Sequence, residues 1–170
     1  MDIKDRIRNI PDFPKKGIMF RDITPLLGDP AYFKKSVDMM AEALAGVEFD
    51  VLAGPESRGF IFGAPLAYVM NKPFVPVRKA GKLPGEVRRA EYELEYGRAV
   101  IEVHTDAVKP GQKVVVVDDL LATGGTSWAL CGMIEGMGGK IASLIFLIEL
   151  EALHGREVLE DYPVKALIKY

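Results

Sequence analysis

Apolar residues along this chain occur in two arrangements, helical spacing and short continuous runs. The pair Asp29-Pro30 predicts a helix start, because aspartate caps a first turn and proline suits the first helical position. Apolar side chains then recur at helical spacing as far as Leu44, where Gly46 ends the pattern. Nearer the amino terminus, residues 2–10 mix charged and apolar side chains and predict a short amphipathic helix.

Short apolar runs elsewhere predict an alternation of strands and helices. The four valines at 114–117 show no polar alternation, which is typical of a strand buried on both faces. The predicted strands are 50–53, 74–77, 99–103, 114–117, 141–148 and 164–168, and the further predicted helices are 58–70 and 125–137. This order predicts an α/β fold with a mainly parallel central sheet flanked by helices. Ligands of such sheets bind at the carboxyl ends of the strands.

Length and charge narrow the functional classes. The chain has 170 residues, which fits one domain with one core. Its net charge of −2 gives no overall field that would attract nucleic acid or an anionic membrane. The first residues lack the apolar centre of a signal peptide, and no apolar run is long enough to span a bilayer. We therefore expect a cytoplasmic protein that binds neither nucleic acid nor membrane.

Several chemically active residue types lack the neighbours that would make them functional. Cys131 lies in an apolar stretch without a Cys or His at metal-ligand spacing, which predicts a buried, inert thiol. His104 and His154 are isolated, so neither predicts a metal site. Trp128 and Met133 fall on one predicted helix at a spacing that suits core packing.

The strongest chemical signal is the string VVVVDDLLATGGT at residues 114–126. A central strand ends in Asp118 and Asp119, and a glycine-rich loop then opens into a helix. Glycines allow close approach of backbone amides to an anion, and a helix N-terminus favours negative charge. Two carboxylates would repel a simple phosphate, but they suit a ligand that also carries vicinal hydroxyls. The string therefore predicts a site for a ribose 5-phosphate.

Other phosphate-binding motifs are missing from the sequence. It contains neither a Walker GxxxxGK[ST] string nor a GxGxxG after a strand, which disfavours a kinase or an ordinary nucleotide-binding protein. A bare Gly-Gly pair would be no more than a tight turn. The complete string, at the end of the most strand-like stretch, favours a binding site over that alternative.

This string closely resembles the phosphoribosyl pyrophosphate signature of type I phosphoribosyltransferases. The resemblance covers nearly the whole chain, and its details resemble the adenine phosphoribosyltransferases. It implies purine salvage, in which adenine and phosphoribosyl pyrophosphate give AMP and pyrophosphate with Mg²⁺. It also implies one domain over 1–170 and a homodimer. Within that domain the base-binding segment would cover about 1–28 and a mobile hood or lid hairpin about 80–104.

The same resemblance assigns the sugar and phosphate contacts. Asp118 and Asp119 would hold the ribose hydroxyls. The 5-phosphate would be bound by Ala122, Thr123, Gly124, Gly125 and Thr126. No all-protein metal cage is visible in the sequence, so Mg²⁺ is expected to bind through substrate oxygens and water rather than through direct protein ligands.

Pyrophosphate is expected at two further segments. The turn containing Glu56, Ser57 and Arg58 follows a strand and opens a helix, and it matches the family's pyrophosphate loop. The resemblance implies a strained peptide between the first two of these residues, for which a non-proline cis form is one option. Without the other segments, a charged surface turn would explain this stretch equally well.

Residues 78–89 hold five cations and one acid in a chain that is acidic overall. A pyrophosphate leaving group needs such neutralisation. The resemblance implies that Arg78, Lys79 and Lys82 reach pyrophosphate, some of them across a dimer interface. A solvated charged loop is the alternative for any one of these side chains, and it is the interpretation adopted for Arg88 and Arg89.

The segment EYELEYG at 91–97 alternates acids with apolar or aromatic residues, as an edge hairpin does. Its last four residues match the family's hood motif. There the residue matching Glu95 is the proposed acid or base at the purine ring nitrogen, and the residue matching Tyr96 closes the site. A lid that excludes water suits a reaction with an oxocarbenium-like transition state. A solvent-facing strand acid is the alternative for Glu95.

The amino-terminal segment GIMFRDITP at 17–25 resembles the family's base-binding motif. Backbone groups at Met19 and Arg21 would bind the edge of adenine, and Phe20 would lie against its ring. Adenine presents a donor and an acceptor where a 6-oxopurine presents the reverse, so a fixed pair of backbone groups can discriminate strongly between them.

Two alternatives stay open at this point. One is a phosphoribosyltransferase for xanthine, hypoxanthine/guanine or orotate, which the phosphate loop cannot separate from the adenine enzymes. The other is a non-catalytic regulator on the same fold that senses phosphoribosyl pyrophosphate. Residues 17–25 and 94–97 favour the adenine enzyme over the first, and the acid in the hood motif favours an enzyme over the second.

Overall fold

The computed structural model describes residues 2–93 and 97–170. The chain divides into two compact units, Met1–Met39 and Met40–Tyr170.

The first unit is built around a small antiparallel pair of strands. A 3₁₀ turn, Ile3–Arg6, precedes β1, Arg8–Ile10, which pairs with β2, Phe20–Asp22. The prediction of a helix over 2–10 is therefore wrong. Helical structure stops after one turn because residues 8–10 pair with a distant strand, and such tertiary pairing overrides a weak local pattern.

Two helices complete this part of the chain. Helix α1 is Thr24–Leu27 and helix α2 is Pro30–Ala43. Asp29 Oδ1 accepts hydrogen bonds from the amides of Ala31 at 3.1 Å and Tyr32 at 3.4 Å, which confirms the predicted cap. The stretch between β1 and α2 thus contains both β2 and α1.

The second unit contains a seven-stranded sheet among the described residues. Its strands are β3 (Val51–Pro55), β4 (Phe74–Lys79), β5 (Val87–Glu93), β6 (Arg98–His104), β7 (Lys113–Leu121), β8 (Lys140–Glu149) and β9 (Val164–Lys169). The spatial order is β5-β6-β4-β3-β7-β8-β9. The neighbouring pairs β4–β3, β3–β7, β7–β8 and β8–β9 are parallel. Strand β6 is antiparallel to both β4 and β5. The predicted mainly parallel sheet and the predicted hairpin are both confirmed.

Strand β7 lies inside this sheet between β3 and β8, and its four valines at 114–117 are fully buried. The prediction of a strand buried on both faces is confirmed. The accompanying helices are α3 (Arg58–Val69), α4 (Gly125–Gly136) and α5 (Gly155–Val158). Helices α3 and α4 begin directly after β3 and β7, which directs their N-termini to the carboxyl edge of the sheet.

Close backbone packing around Gly54 brings the start of α3 against the sheet. A Cβ atom at this position would lie 2.8 Å from the Val117 carbonyl oxygen and 3.3 Å from the Gly59 carbonyl oxygen. Backbone atoms of two elements cannot withdraw as a flexible side chain could. Only glycine fits here without moving β7 or α3.

We predict that Gly54→Ala lowers the free energy of unfolding by about 1–3 kcal/mol, because the added methyl group must displace backbone. Chemical denaturation at equilibrium measures this. Gly132→Ala is the matched control: position 132 is exposed in α4 with open space around it, so alanine should be neutral or stabilise by up to ~1 kcal/mol. Equal stability of the two variants would contradict the packing argument.

Candidate active site

Two neighbouring acids lie near the carboxyl end of β7. Asp119 is 4% exposed, and Asp118 is half-buried. The Arg58 Nε atom, at the start of α3, lies 3.0 Å from Asp119 Oδ2. The Asp119 amide donates to Asp118 Oδ1 at 2.8 Å. The structure thus brings together Arg58 and the two acids predicted for ribose.

Burial sets the electrostatics of this pair. It raises the pKa of Asp118 well above its usual range, and the neighbouring charge of Asp119 raises it further. Burial also raises the pKa of Asp119, although the Arg58 guanidinium opposes that rise. A ligand that donates hydroxyl hydrogen bonds would stabilise the charged carboxylates, and a vicinal diol is such a ligand.

The loop that follows β7 encloses a small cavity. Gly124 adopts a left-handed conformation with φ +87°, and α4 then begins at Gly125. The cavity measures about 80 Å³ and is lined by Asp118, Leu120, Leu121, Ala122, Thr123, Gly124, Gly125, Thr126 and Ser127. All five residues predicted for the 5-phosphate therefore surround one cavity at a helix N-terminus, with one of the ribose acids at its wall.

Helix α5 packs closely against the backbone of this loop. A Cβ atom at Gly155 would overlap the Ala122 carbonyl, and a Cβ atom at Gly124 would lie 2.7 Å from the Gly155 oxygen. Arg156 secures this helix by donating from Nε to Glu149 Oε1 at 2.9 Å and from Nη1 to the Val164 carbonyl at 2.7 Å. The sequence analysis missed this support, because residues 149–156 carry no motif that points to the loop.

The carboxylate of Glu56 gathers the predicted pyrophosphate cations. It accepts from Arg78 Nε at 3.1 Å, from the Lys79 backbone amide at 2.9 Å and from Lys82 Nζ at 2.7 Å. The Glu56 side chain is 8% exposed, whereas Ser57 is exposed and occupies the N-cap position of α3 without a side-chain cap hydrogen bond. The peptide between these two residues is cis. The two segments predicted for pyrophosphate thus meet around one acid.

These donors hold Glu56 in its charged form. The hydrogen bond from Lys82, with further bonds from Lys79 and Arg78, lowers the pKa of Glu56 to about 2 despite its burial. The acid is therefore ionised throughout the physiological range and keeps the cations of residues 78–82 at the carboxyl edge of the sheet.

A second buried acid, Glu102 on β6, fixes the remainder of the basic loop. It is 1% exposed and accepts from the Gly81 amide at 3.0 Å and from Arg89 Nε at 2.6 Å. Arg88 and Arg89 are both exposed, as predicted, but Arg89 also pairs with Glu102, which the prediction of a purely solvated side chain did not include. The sequence did not single out Glu102, because it lies within an apolar strand pattern. Its partner becomes evident only from the pairing of β5 with β6, which places Arg89 opposite Glu102.

Three residues of α4 differ in their surroundings. Cys131 is fully buried, and burial raises the pKa of its thiol to about 12, which confirms an inert thiol. Trp128 is 56% exposed, so the prediction that it packs in the core is wrong, whereas Met133 is buried as predicted. Trp128 and Met133 are five positions apart, and at about 3.6 residues per turn this spacing places the two side chains on different faces of α4.

The hood hairpin contacts the phosphate loop through Tyr92 on β5. Thr126 Oγ1 donates to the Tyr92 hydroxyl at 3.1 Å. Sequence analysis treated Tyr92 as one position in an alternating strand and missed this contact. Glu95 and Tyr96, the residues predicted to act on the base and to close the site, lie outside the described residues.

The predicted base-binding residues lie in the first unit. Phe20 contacts Phe13 edge to face with ring centroids 5.1 Å apart, and Met19 is 43% exposed. Arg21 Nη1 donates to Asn9 Oδ1 across the β1–β2 pair. This pairing gives the segment a defined extended backbone, as recognition through backbone groups requires.

Residues 2–93 and 97–170 contain neither a group of metal-binding side chains nor a membrane-spanning helix. Among these side chains, no three His, Cys, Asp or Glu residues are grouped so that they could hold a metal ion. No helix in the same ranges has the length and apolar character needed to cross a bilayer.

We predict that Glu56 stabilises the fold above about pH 4.5 and that this contribution falls as the pH drops towards 2, because the folded pKa is depressed. Wild type should exceed Glu56→Gln in free energy of unfolding by about 1–3 kcal/mol at pH 7, allowing for its partly exposed partners. The difference should shrink by pH 3.5, as measured by chemical denaturation at several pH values.

Glu48→Gln is the control, because Glu48 is 88% exposed and pairs with Lys113 at the surface. Its stability difference from wild type should be small at every pH. A Glu56→Gln difference that stayed constant between pH 7 and 3.5 would contradict the depressed pKa.

Comparison with known proteins agrees with this geometry. Residues 27–169 match the phosphoribosyl transferase domain family. The chain is 56% identical over 168 residues to adenine phosphoribosyltransferase of Lachnoclostridium phytofermentans, covering 99% of this chain and 97% of the relative. It is 57% identical over 169 residues to the enzyme of that name from Caldanaerobacter subterraneus, covering 99% and 98%.

Solved structures give the same result. Adenine phosphoribosyltransferase of Thermoanaerobacter pseudethanolicus superimposes with a TM-score of 0.96 at 58% identity, covering 99% of this chain and 98% of that one. The Saccharomyces cerevisiae enzyme, solved with adenine and an imino-altritol bisphosphate, superimposes with a TM-score of 0.89 at 41% identity, covering 95% and 94%. The chain therefore belongs to the phosphoribosyltransferase family and groups within it with the adenine phosphoribosyltransferases.

Proposed function

We infer that this chain transfers the 5-phosphoribosyl group of phosphoribosyl pyrophosphate to adenine, giving AMP and pyrophosphate in purine salvage. The observation that carries this inference is the cavity of residues 120–127, which joins a phosphate-sized space to the Asp118 carboxylate. That combination suits a ribose 5-phosphate. The choice of adenine as the base is inferred from the relatives named adenine phosphoribosyltransferase, which are 54–60% identical to this chain.

The sugar phosphate is placed by complementary charges and donors. Backbone amides at the start of α4 and the Thr126 hydroxyl donate to the 5-phosphate, where the helix N-terminus favours negative charge. Asp118 and Asp119 accept hydrogen bonds from the two ribose hydroxyls. Arg58, already 3.0 Å from Asp119, keeps that acid charged for this purpose.

Departure of pyrophosphate requires neutralisation of the charge that develops on it. Arg78 and Lys82 lie at the same edge of the sheet and are held there by Glu56. Pyrophosphate carries more negative charge than one carboxylate, so it competes well for these two cations. The Lys79 amide, which also donates to Glu56, is a third donor in the same place.

The residues at the site fit magnesium that arrives with the substrate. Glu56 and Asp119 are each engaged by protein cations, which leaves no set of free carboxylates among the described residues for a protein-bound ion. Mg²⁺ keeps several waters and binds readily to phosphate oxygens. When bound in this way it would neutralise part of the pyrophosphate charge.

The reaction exchanges one bond at the anomeric carbon of the sugar. Adenine N9 forms a bond to C1, the bond from C1 to the pyrophosphate oxygen breaks, and its electron pair leaves with pyrophosphate. The proton of the adenine imidazole ring must go to a base, and we propose the Glu95 carboxylate for that role. Tyr96 is proposed to close the site against water.

Selection of adenine is assigned to the first unit. We propose that backbone groups of Met19 and Arg21 pair with the edge of the base and that Phe20 lies against its ring. The β1–β2 pairing, which includes Ile10 opposite Phe20, holds this backbone extended. A wrong 6-oxopurine would leave both backbone groups unpaired, which costs far more than a lost methyl contact.

We also propose that the protein is a cytoplasmic homodimer. Tyr68 and Val69, at the end of α3, are 88% and 52% exposed, and such apolar side chains are suited to burial between subunits. The resemblance to the family implies that some basic side chains of residues 78–82 reach pyrophosphate across the dimer interface.

The first test is base specificity. Purified protein with phosphoribosyl pyrophosphate and Mg²⁺ is given adenine, hypoxanthine, guanine, xanthine or orotate in separate reactions, and nucleotide product is quantified. We expect AMP from adenine and product from the other bases at rates lower by about 10⁴ or more, because their donors and acceptors mismatch. Product mainly from another base would overturn the base assignment. Tight binding of phosphoribosyl pyrophosphate without product from any base would indicate a sensor.

The second test concerns Glu95. Glu95→Gln should lower kcat by about 10²–10⁴ with little change in either KM, since it removes the proton acceptor and keeps the shape. Asp118→Asn should instead raise the KM for phosphoribosyl pyrophosphate by about tenfold or more. Glu93→Gln, an exposed acid of β5, is the control and should match wild type. Wild-type kinetics in Glu95→Gln would eliminate its proposed role.

A further inference from the structure

Tyr92 lies where the hood hairpin meets the phosphate loop. It is carried by β5, and its half-buried ring packs against the core cluster that includes the buried residues of α4. A Cβ atom at Gly125 would lie 3.8 Å from Tyr92 Cδ2, so the ring lies directly over the start of α4. The phenolic oxygen is 3.1 Å from Thr126 Oγ1. Among the described residues, this is the only side-chain hydrogen bond between the hood strands β5 and β6 and residues 122–126.

A phosphate in the loop would determine which hydroxyl donates in this contact. Each hydroxyl has one proton, and either oxygen can be the donor at the 3.1 Å separation. A phosphate offers acceptors alone, so the Thr126 proton is expected to point to it. The Tyr92 hydroxyl then donates to Thr126 Oγ1. This forms a chain from tyrosine to threonine to phosphate, in which each bond polarises the next.

We propose that Tyr92 is a positioning residue for the 5-phosphate, which acts by orienting and polarising the Thr126 hydroxyl. The proposal rests on the phosphoribosyl transfer inferred above. The aromatic ring fixes the hydroxyl over the loop, and the hydroxyl itself improves Thr126 as a donor to an anion. Hydrogen bonds to charged groups are stronger than neutral ones, so the effect appears when phosphate is bound.

Tyr92→Phe tests the hydroxyl and leaves the ring in place. We expect its Kd for ribose 5-phosphate, measured by calorimetry, and its KM for phosphoribosyl pyrophosphate to rise by about 3–10-fold. The KM for adenine should stay within about twofold, because adenine has no phosphate. A merely structural role would move both KM values or lower the Tm. A phosphate-side KM unchanged in Tyr92→Phe overturns the proposal.

Tyr162→Phe is the matched control. Its hydroxyl donates to Glu135 Oε2 at 3.0 Å, near the far end of the same helix α4, and its ring packs against the same core. This variant loses one tyrosine hydrogen bond to α4 without approaching the loop. Both KM values should equal those of wild type. A phosphate-side defect in Tyr162→Phe equal to that of Tyr92→Phe would contradict the proposal.

A double-mutant cycle with Thr126→Val separates the two hydroxyls. If Tyr92 acts through Thr126, the double variant should bind ribose 5-phosphate no more weakly than Thr126→Val by itself. Independent multiplication of the two effects would show that Tyr92 does not act through Thr126. Wild type that neither binds ribose 5-phosphate nor forms AMP would refute the proposed function instead, whatever the variants do.

Discussion

Two adjacent carboxylates at the carboxyl end of β7 impose the strongest constraint on this molecule. Asp119 is buried and Asp118 half-buried, and charges in such a place persist only if neighbouring groups replace the lost water. Arg58 supplies a cation to one, and a backbone amide donates to the other. The proposed contact with the ribose hydroxyls would use the remaining hydrogen-bonding capacity of these two carboxylates.

Placing Arg58 beside the acids depends on very small residues. A Cβ atom at Gly59 would lie 3.2 Å from Asp118 Oδ1 and 2.8 Å from Pro55 Cδ. Glycine therefore lets α3 begin directly against the acids, with its N-terminus at the same edge of the sheet as that of α4. The relative positions of the two acids, the loop after β7 and the Arg58 guanidinium therefore depend on this one close contact. It joins α3 to the central strands.

Three further acids organise cations around this edge of the sheet. Glu56 holds Arg78 and Lys82, Glu102 holds the loop amide of Gly81, and Glu149 holds α5 behind the phosphate loop. Each of these acids is less than a tenth exposed. Acids with several donors thus fix the loop that carries Arg78 and Lys82 and the helix that packs against residues 122–126.

Sequence by itself determined the features that neighbouring residues encode. The strand at 114–117, the acids and glycines that follow it and the Asp29 cap were all predicted, because each is specified within one short stretch. Only the tertiary structure decided that residues 8–10 form a strand, that Glu102 meets Arg89 and that Tyr92 meets Thr126. These contacts join residues far apart in the chain, and strand register and helix packing set them, which local hydrophobic patterns do not contain.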